Sequence, residues 1–203
     1  MDKARKDRIL DVAIGLAEAG GFENVRQRDV ADQAGIALGT LYKSFTSKEH
    51  ILSAALAREA AELERKLKAK PPTGATSAER LYGLFKIVTR AMCHKPKYAR
   101  AVLRAIASGQ PDVAAHVTSY QGLMNAIIVS VMRNGNPEPL RSDKLTEQDT
   151  KLATFLQQIW FASLVAWSAG ILSQPEVIEH MKQAIDLILF SSPRGKLRAV
   201  AAS

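Results

Sequence analysis

Gln27-Arg28-Asp29-Val30-Ala31-Asp32-Gln33-Ala34-Gly35-Ile36-Ala37-Leu38-Gly39-Thr40-Leu41-Tyr42-Lys43-Ser44-Phe45 is the stretch that decides how this chain is read. Its apolar spacing predicts a short helix over Gln27 to Ala34, a stop at Gly35, and a second short helix over Leu38 to Phe45. Just upstream, Ile9, Val12, Ala13, Leu16 and Ala17 recur at helical spacing on one face, and Gly20-Gly21 ends that run. Val30, Ala31, Ala34, Ile36, Leu41 and Phe45 can close a small core with this first helix. Leu38, Gly39, Thr40, Tyr42, Lys43 and Ser44 are then expected to face outward together.

A helix, a glycine turn and a helix have the proportions of a helix-turn-helix, but any pair of antiparallel helices shares them. The outward set carries the sharper meaning. Gly39 lies inside a helix, where glycine costs about 1 kcal/mol relative to alanine, and its missing side chain lets the backbone approach a phosphate or a base edge. Thr40, Tyr42 and Ser44 offer hydroxyls to phosphate and Lys43 offers charge. Lys48 falls in the first turn of the next helix, where unpaired N–H groups already favour an anion. Leu38 reads as a contact to a thymine methyl or as an ordinary surface leucine.

No alternating strand pattern occurs, so the chain reads as all-α with about nine helices. A long helix is expected from Ser47 to Lys70, with Thr46 and Glu49 at capping-box spacing, and Pro71-Pro72-Thr73-Gly74 stops it. Further helices are expected over Ser77 to Cys93, Pro96 to Ser108, Pro111 to Asn134, Thr146 to Leu172 and Pro175 to Ser191. Gly135 to Thr146 reads as a surface loop and Arg194 to Ser203 as a basic tail. Residues 1–47 are expected to form one domain and 48–203 the other.

The chain has 203 residues, 47% of them hydrophobic, which supplies a sizeable core and excludes wholesale disorder. One cysteine excludes a disulfide framework or a structural zinc site, and no metal or cofactor is expected. The N-terminus has early acids and no apolar segment, so no targeting peptide is expected and the cytoplasm is the expected compartment. The charge-free run from Leu152 to Pro175 contains Gln157, Gln158 and Gly170, so it reads as a buried helix rather than a membrane span. The formal charge is +8, yet residues 1–50 hold eight basic and eight acidic side chains. The excess includes Arg80, Lys86, Arg90, Lys95, Lys97, Arg100 and Arg104, with no acid among them, which could serve a polyanion or merely face water. Cys93-His94 point in different directions on a helix, and the four histidines are scattered, so no catalytic centre is expected.

The helix expected over Thr146 to Leu172 is apolar nearly all round and needs cover on both sides. Phe155, Ile159 and Trp167, with Ile178, Ile185 and Leu189, are the candidates for an interface with a second copy; a purely intramolecular core is the alternative. Phe85, Val88, Met92, Leu103 and Met124, followed by Ile127, Ile128, Val131, Trp160 and Leu164, are the candidates for lining a cavity suited to an apolar ligand.

Arg28-Asp29-Val30-Ala31, Ala34-Gly35-Ile36, Gly39-Thr40-Leu41-Tyr42, Phe45 and Ser47-Lys48-Glu49 resemble the N-terminal signature of the TetR family of bacterial transcriptional repressors, over about residues 5–56. The resemblance implies a homodimer with a three-helix DNA-binding head and a helical body that binds a small molecule and thereby releases operator DNA. By position it assigns DNA contacts to Arg28, Thr40, Tyr42, Lys43 and Lys48. The chain departs from the family at the N-caps of the second and third helices, where Arg26 and Ala37 replace the usual Ser or Thr, at a typical cost of ~1 kcal/mol each. These departures, with Gly20-Gly21-Phe22, Leu38-Gly39-Thr40-Leu41-Tyr42 and Ile159 to Trp167, resemble the actinobacterial repressors of sterol catabolism, which implies a steroid or acyl-CoA effector. A small polar or cationic effector, and a helical protein-interaction module without DNA binding, remain the alternatives.

Overall fold

A computed structural model describes residues 2–133 and 146–190. Of the loop expected over Gly135 to Thr146, residues 135–145 lie outside the described residues, as does the tail expected over 194–203. Within them the chain forms nine α-helices and one 3-10 turn, with no strand. The helices are α1 (Lys3–Gly20), α2 (Gln27–Gln33), α3 (Leu38–Tyr42), α4 (Lys48–Ala69), α5 (Ser77–Cys93), α6 (Pro96–Ile106), α7 (Pro111–Arg133), α8 (Glu147–Ser168) and α9 (Gln174–Phe190). The 3-10 turn, Phe22–Asn24, joins α1 to α2 and has no counterpart in the sequence reading.

Local chemistry explains the boundaries. Gly35, between α2 and α3, has φ of 66°, a left-handed conformation that glycine adopts without a Cβ penalty. Arg26 and Ala37 occupy the N-caps of α2 and α3 and make no side-chain capping bond, as expected. At α4 the expectation is corrected: Ser47, not Thr46, is the cap. Its Oγ accepts from the His50 N–H at 3.0 Å, while the Thr46 hydroxyl donates to Asp112. Helix α8 is also shorter than its apolar run predicts. Gly170, at φ 77°, turns the chain, and the Ile171 N–H donates to the Ala166 carbonyl at 2.9 Å, so the helix closes at Ser168 instead of Leu172.

The chain divides into two compact units, Met1–Leu63 with Met92–Tyr120, and Glu64–Ala91 with Gln121–Ser203. In the first, Ile9, Leu10, Ala13 and Ala17 of α1 share one core with Val30, Ala31, Leu41, Phe45, Ile51, Leu52 and, from α6, Val102 and Ala105. Arg58 of α4 ties into α1, donating to the Asp7 carbonyl at 3.0 Å and to Asp11 at 2.6 Å. The Tyr98 hydroxyl donates to Glu59 at 2.8 Å, and burial pushes the Glu59 carboxyl above its ordinary range.

In the second unit, Leu81, Leu84 and Phe85 of α5, Met124 and Ile128 of α7, and Leu156 of α8 are buried, and α9 packs on α8 through buried Val177, Met181 and Ile185. The end of α7 is closed by α5: Arg80 donates to the carbonyls of Val131 and Met132 at 3.0 and 2.8 Å, and Ser77 donates to Met132 at 2.8 Å. Gln157, nearly buried, donates to the Gln121 carbonyl at 3.2 Å and to Asn125, whose amide in turn donates to Thr154.

The Trp160 indole N–H donates to the buried Thr89 hydroxyl at 2.9 Å, and the ring meets Phe85 edge-on with centroids 6.0 Å apart. Thr89→Val strands that donor in an apolar core. The substitution is expected to lower stability by about 1–3 kcal/mol in urea unfolding, and adding Trp160→Phe should recover part of the loss because both polar partners are then gone.

Candidate nucleic-acid interface

On α3 the inward residues are fixed first. Leu41 and Phe45 are buried, and the Gln27 side chain donates to the Phe45 carbonyl at 3.0 Å, fastening the start of α2 to the turn that follows α3. What remains outward is narrower than expected. Gly39, Tyr42 and Lys43 are exposed at helical spacing on one face, and nothing stands within 4 Å of a Cβ built on Gly39. Thr40 and Ser44 are half-buried beside them, and Arg28 is exposed in the first turn of α2. Leu38 corrects the expectation of a fully outward set: it is half-buried and packs against the core, because a helix of five residues needs its first apolar side chain for burial.

Lys48 is held by groups that the sequence reading missed. Its Nζ lies 3.9 Å from the centroid of the Phe22 ring, donates to the Phe22 carbonyl at 3.4 Å and pairs with Glu23 at 3.3 Å. Arg104 of α6 lies 4.1 Å from the same centroid and 2.7 Å from the other Glu23 oxygen. Hydrogen bonds from Lys48 and then Arg104 hold the Glu23 carboxyl below its ordinary range. No local pattern announces this cluster, whose members lie 25 and 81 residues apart along the chain.

Several cations of the basic segment have structural partners. Lys97 donates to the Ala19 carbonyl at the end of α1 at 2.7 Å, Lys95 pairs with Glu18, and Arg80 closes α7 as described. Burial pushes the Cys93 thiol up to about 11, the opposite of an activated thiol.

A second cluster joins the start of α4 to the start of α7. Asp112 accepts from Ser47 at 2.8 Å and from Thr46, and His50 Nδ1 lies 3.9 Å from the same oxygen. The His50 and His116 rings are 4.9 Å apart, and His116 Nδ1 is 3.1 Å from the Ser53 Oγ. With the Ser53 proton donated to the His50 carbonyl at 2.9 Å, Ser53 accepts from His116 in the tautomer that protonates Nδ1. A serine poised as a nucleophile needs the reverse arrangement.

The candidate effector residues fall into both units. Met92 and Leu103 belong to the first; Phe85, Val88, Met124, Ile127, Ile128, Val131, Trp160 and Leu164 belong to the second and are all buried. Among the candidate interface residues, Phe155 is 56% exposed, and Ile159, Trp167, Ile178 and Leu189 are half-buried. Ile185 is a correction: at 1% exposure it faces the interior of its own unit, where α9 packs on α8. Val165, Ile171 and Leu187 are exposed apolar side chains that the sequence reading did not single out for an interface. Among the described residues no helix is long and apolar enough to cross a membrane.

Residues 9–55 match the family profile described as bacterial regulatory proteins, tetR family, and residues 74–188 match the profile described as tetracyclin repressor-like, C-terminal domain. The HTH-type transcriptional repressor KstR of Rhodococcus jostii is 33% identical over 192 residues, covering 95% of this chain and 86% of that protein. A TetR transcriptional regulator from Rhodococcus sp. RHA1 has a similar structure, with a TM-score of 0.77 and 24% identity, covering 93% of this chain and 96% of that one. Thermus thermophilus FadR, solved in complex with lauroyl-CoA, has a TM-score of 0.70 and 19% identity, covering 91% of this chain and 93% of that one.

The two histidines give the fold a pH dependence. Desolvation pushes both below the ordinary imidazole value; proximity to each other adds to the effect at His116, while Asp112 opposes it. The unfolded chain therefore binds more protons than the folded one as pH falls through about 6.5, so their contribution to stability is full above that pH and is lost below it. His116→Gln keeps a donor for Ser53 and removes one titration. Unfolding free energy measured between pH 7.5 and 5.5 is expected to rise less steeply with pH in the variant than in the wild type; identical slopes would refute the assignment.

Proposed function

The chain belongs to the TetR family of bacterial regulatory proteins, and from that premise we propose that it represses transcription as a homodimer that grips operator DNA through residues 1–47 and is released when a hydrophobic small molecule binds within residues 48–203. The observation that carries the DNA-binding reading is the exposed face of Gly39, Tyr42 and Lys43 on a short helix whose other side is buried. A helix so placed can enter the major groove with its backbone close to the DNA, since Gly39 has no side chain to hold it off.

Roles follow from chemistry. Lys43, Lys48 and Arg28 supply charge to phosphates, and Tyr42, Thr40 and Ser44 supply hydroxyls. Such contacts set position and affinity; the operator sequence would be read at base edges near Gly39 and Leu38. An interaction module without DNA binding has no need of that uncovered glycine face. The half-buried and exposed apolar residues of α8 and α9, Phe155, Ile159, Trp167, Ile178 and Leu189, support a helical interface with a second copy, which would present two heads to half-sites about one turn of DNA, ~34 Å, or a multiple apart.

The effector reading rests on the apolar character of Phe85, Val88, Ile127, Val131 and Leu164, and gains support from the lauroyl-CoA complex of the FadR neighbour. Such a ligand must bind the DNA-incompetent arrangement more tightly, because equal affinity for two states shifts neither. Helix α4 is the natural lever, since it begins at Lys48 and continues to Ala69. The work of such a repressor lies where the operator lies, in the cytoplasm.

Two measurements test this. Tyr42→Phe and Lys48→Ala should each weaken binding to operator and random DNA alike, and Lys48→Ala should make the slope of log affinity against log salt shallower by about one; wild-type binding indifferent to salt would sink the DNA-binding reading. Steroid ketones or long-chain acyl-CoA compounds titrated into the DNA complex should release it, and Val131→Trp should mimic or block that release. Release by a small polar or cationic compound alone would replace the hydrophobic effector with that class.

A further inference from the structure

Two cations, one ring and one carboxylate meet where the 3-10 turn, α4 and α6 come together. Lys48 and Arg104 both lie against the Phe22 ring, and each takes one of the two oxygens of Glu23. The four groups differ in how firmly they are held. Phe22 packs against the core of its unit and the Lys48 side chain is only 25% exposed, whereas Glu23 and Arg104 are 72% and 60% exposed. Solvated pairs of this kind contribute little to folding. The ring, which is neutral, fixes where the cations stand; the carboxylate, on a side chain that is mostly exposed, can leave while Phe22 stays packed.

We propose that Glu23 is an intramolecular stand-in for a DNA phosphate: in the free protein it neutralises Lys48 and Arg104, and a DNA backbone must displace it to reach them. This rests on the reading that Lys48 contacts the backbone, and it adds Arg104, which lies outside the first 47 residues, to the DNA-facing charges. A carboxylate and a phosphodiester make the same offer to these cations, a negative charge and oxygen acceptors for N–H donors. The exchange therefore needs no rearrangement of Phe22. Because a phosphate carries no sequence information, the competition lowers affinity for operator and random DNA by one common factor. Glu23 thus sets the absolute grip of the head and leaves its sequence preference alone. A carboxylate that instead served to orient Lys48 toward DNA would act with the opposite sign.

The test uses the full chain and a random-sequence duplex, so it does not depend on knowing the operator. Glu23→Gln keeps the side-chain shape and removes the charge; Glu18→Gln makes the same change in net charge on α1, where Glu18 pairs with Lys95. Measured by fluorescence anisotropy at 50–200 mM salt, Glu23→Gln is expected to tighten binding about three- to ten-fold and Glu18→Gln less than about two-fold, while Arg104→Ala weakens binding and makes the salt slope shallower by about one. Glu23→Ala should repeat the gain, with the thermal midpoint of each variant confirming folding. Equal gains from Glu23→Gln and Glu18→Gln would reduce the effect to long-range charge and overturn the proposal. Weaker binding by Glu23→Gln would make Glu23 an orienting residue and overturn it equally. A salt slope unmoved by Lys48→Ala would remove the underlying DNA-contact reading, whereas a slope that Lys48→Ala lowers and a Glu23→Gln affinity that stays at the wild-type value would remove this proposal alone.

Discussion

The packing of α2 and α3 onto α1 is the constraint on which the head depends. Helices of seven and five residues are too short to persist in water by themselves, and these two also lack side-chain N-caps. Burial has to replace what capping and length do not provide. Val30, Leu41 and Phe45, each 2% exposed or less, contribute about 1.5–3 kcal/mol apiece against the wall of Ile9, Leu10 and Ala13. The same demand explains Leu38: where every apolar side chain is needed inward, little is left over for the outer face.

Charge follows a different logic. The chain carries a formal excess of eight positive charges, but several of the cations are occupied in holding helices together. Arg58 grips α1, Arg80 closes α7, and Lys97 reaches the Ala19 carbonyl in the last turn of α1, where a cation also complements the helix dipole. Net charge is thus a poor map of where a polyanion would bind. The exposed face formed by α3 and its C-terminal cap carries a single cation, Lys43, and its meaning comes from the bare backbone at Gly39 and the tyrosine beside it.

Periodic features were legible in the sequence and long-range ones were not. Helical spacing located all nine helices, and Gly35 marked the turn because left-handed backbone favours that residue. The end of α8 was overrun because apolar residues continue through Ile171 and Leu172, and only the backbone conformation at Gly170 decides that the helix has already closed. Thr46 looked like a cap because Glu49 lies at the right spacing; Asp112, 66 residues away, takes its hydroxyl instead. On α3, Gly39, Tyr42 and Lys43 could be read as outward from the helix period. Phe22, Glu23 and Arg104 could not, since their association exists only once α6 lies beside the 3-10 turn.

That α6 belongs to the core of the first unit has a consequence for synthesis. The unit is built from two stretches of chain, and α5 comes between them. A ribosome that has released the first three helices and α4 has not yet delivered Tyr98, Ala101, Val102 and Ala105, which line the far side of that core. The three helices of the head therefore wait, with part of their apolar surface uncovered, until the chain between the end of α4 at Ala69 and Ala105 has been made. Translation thus delivers α1, α2 and α3 before the helix that completes their core, and the exposed face of α3 rests on packing that α6 finishes.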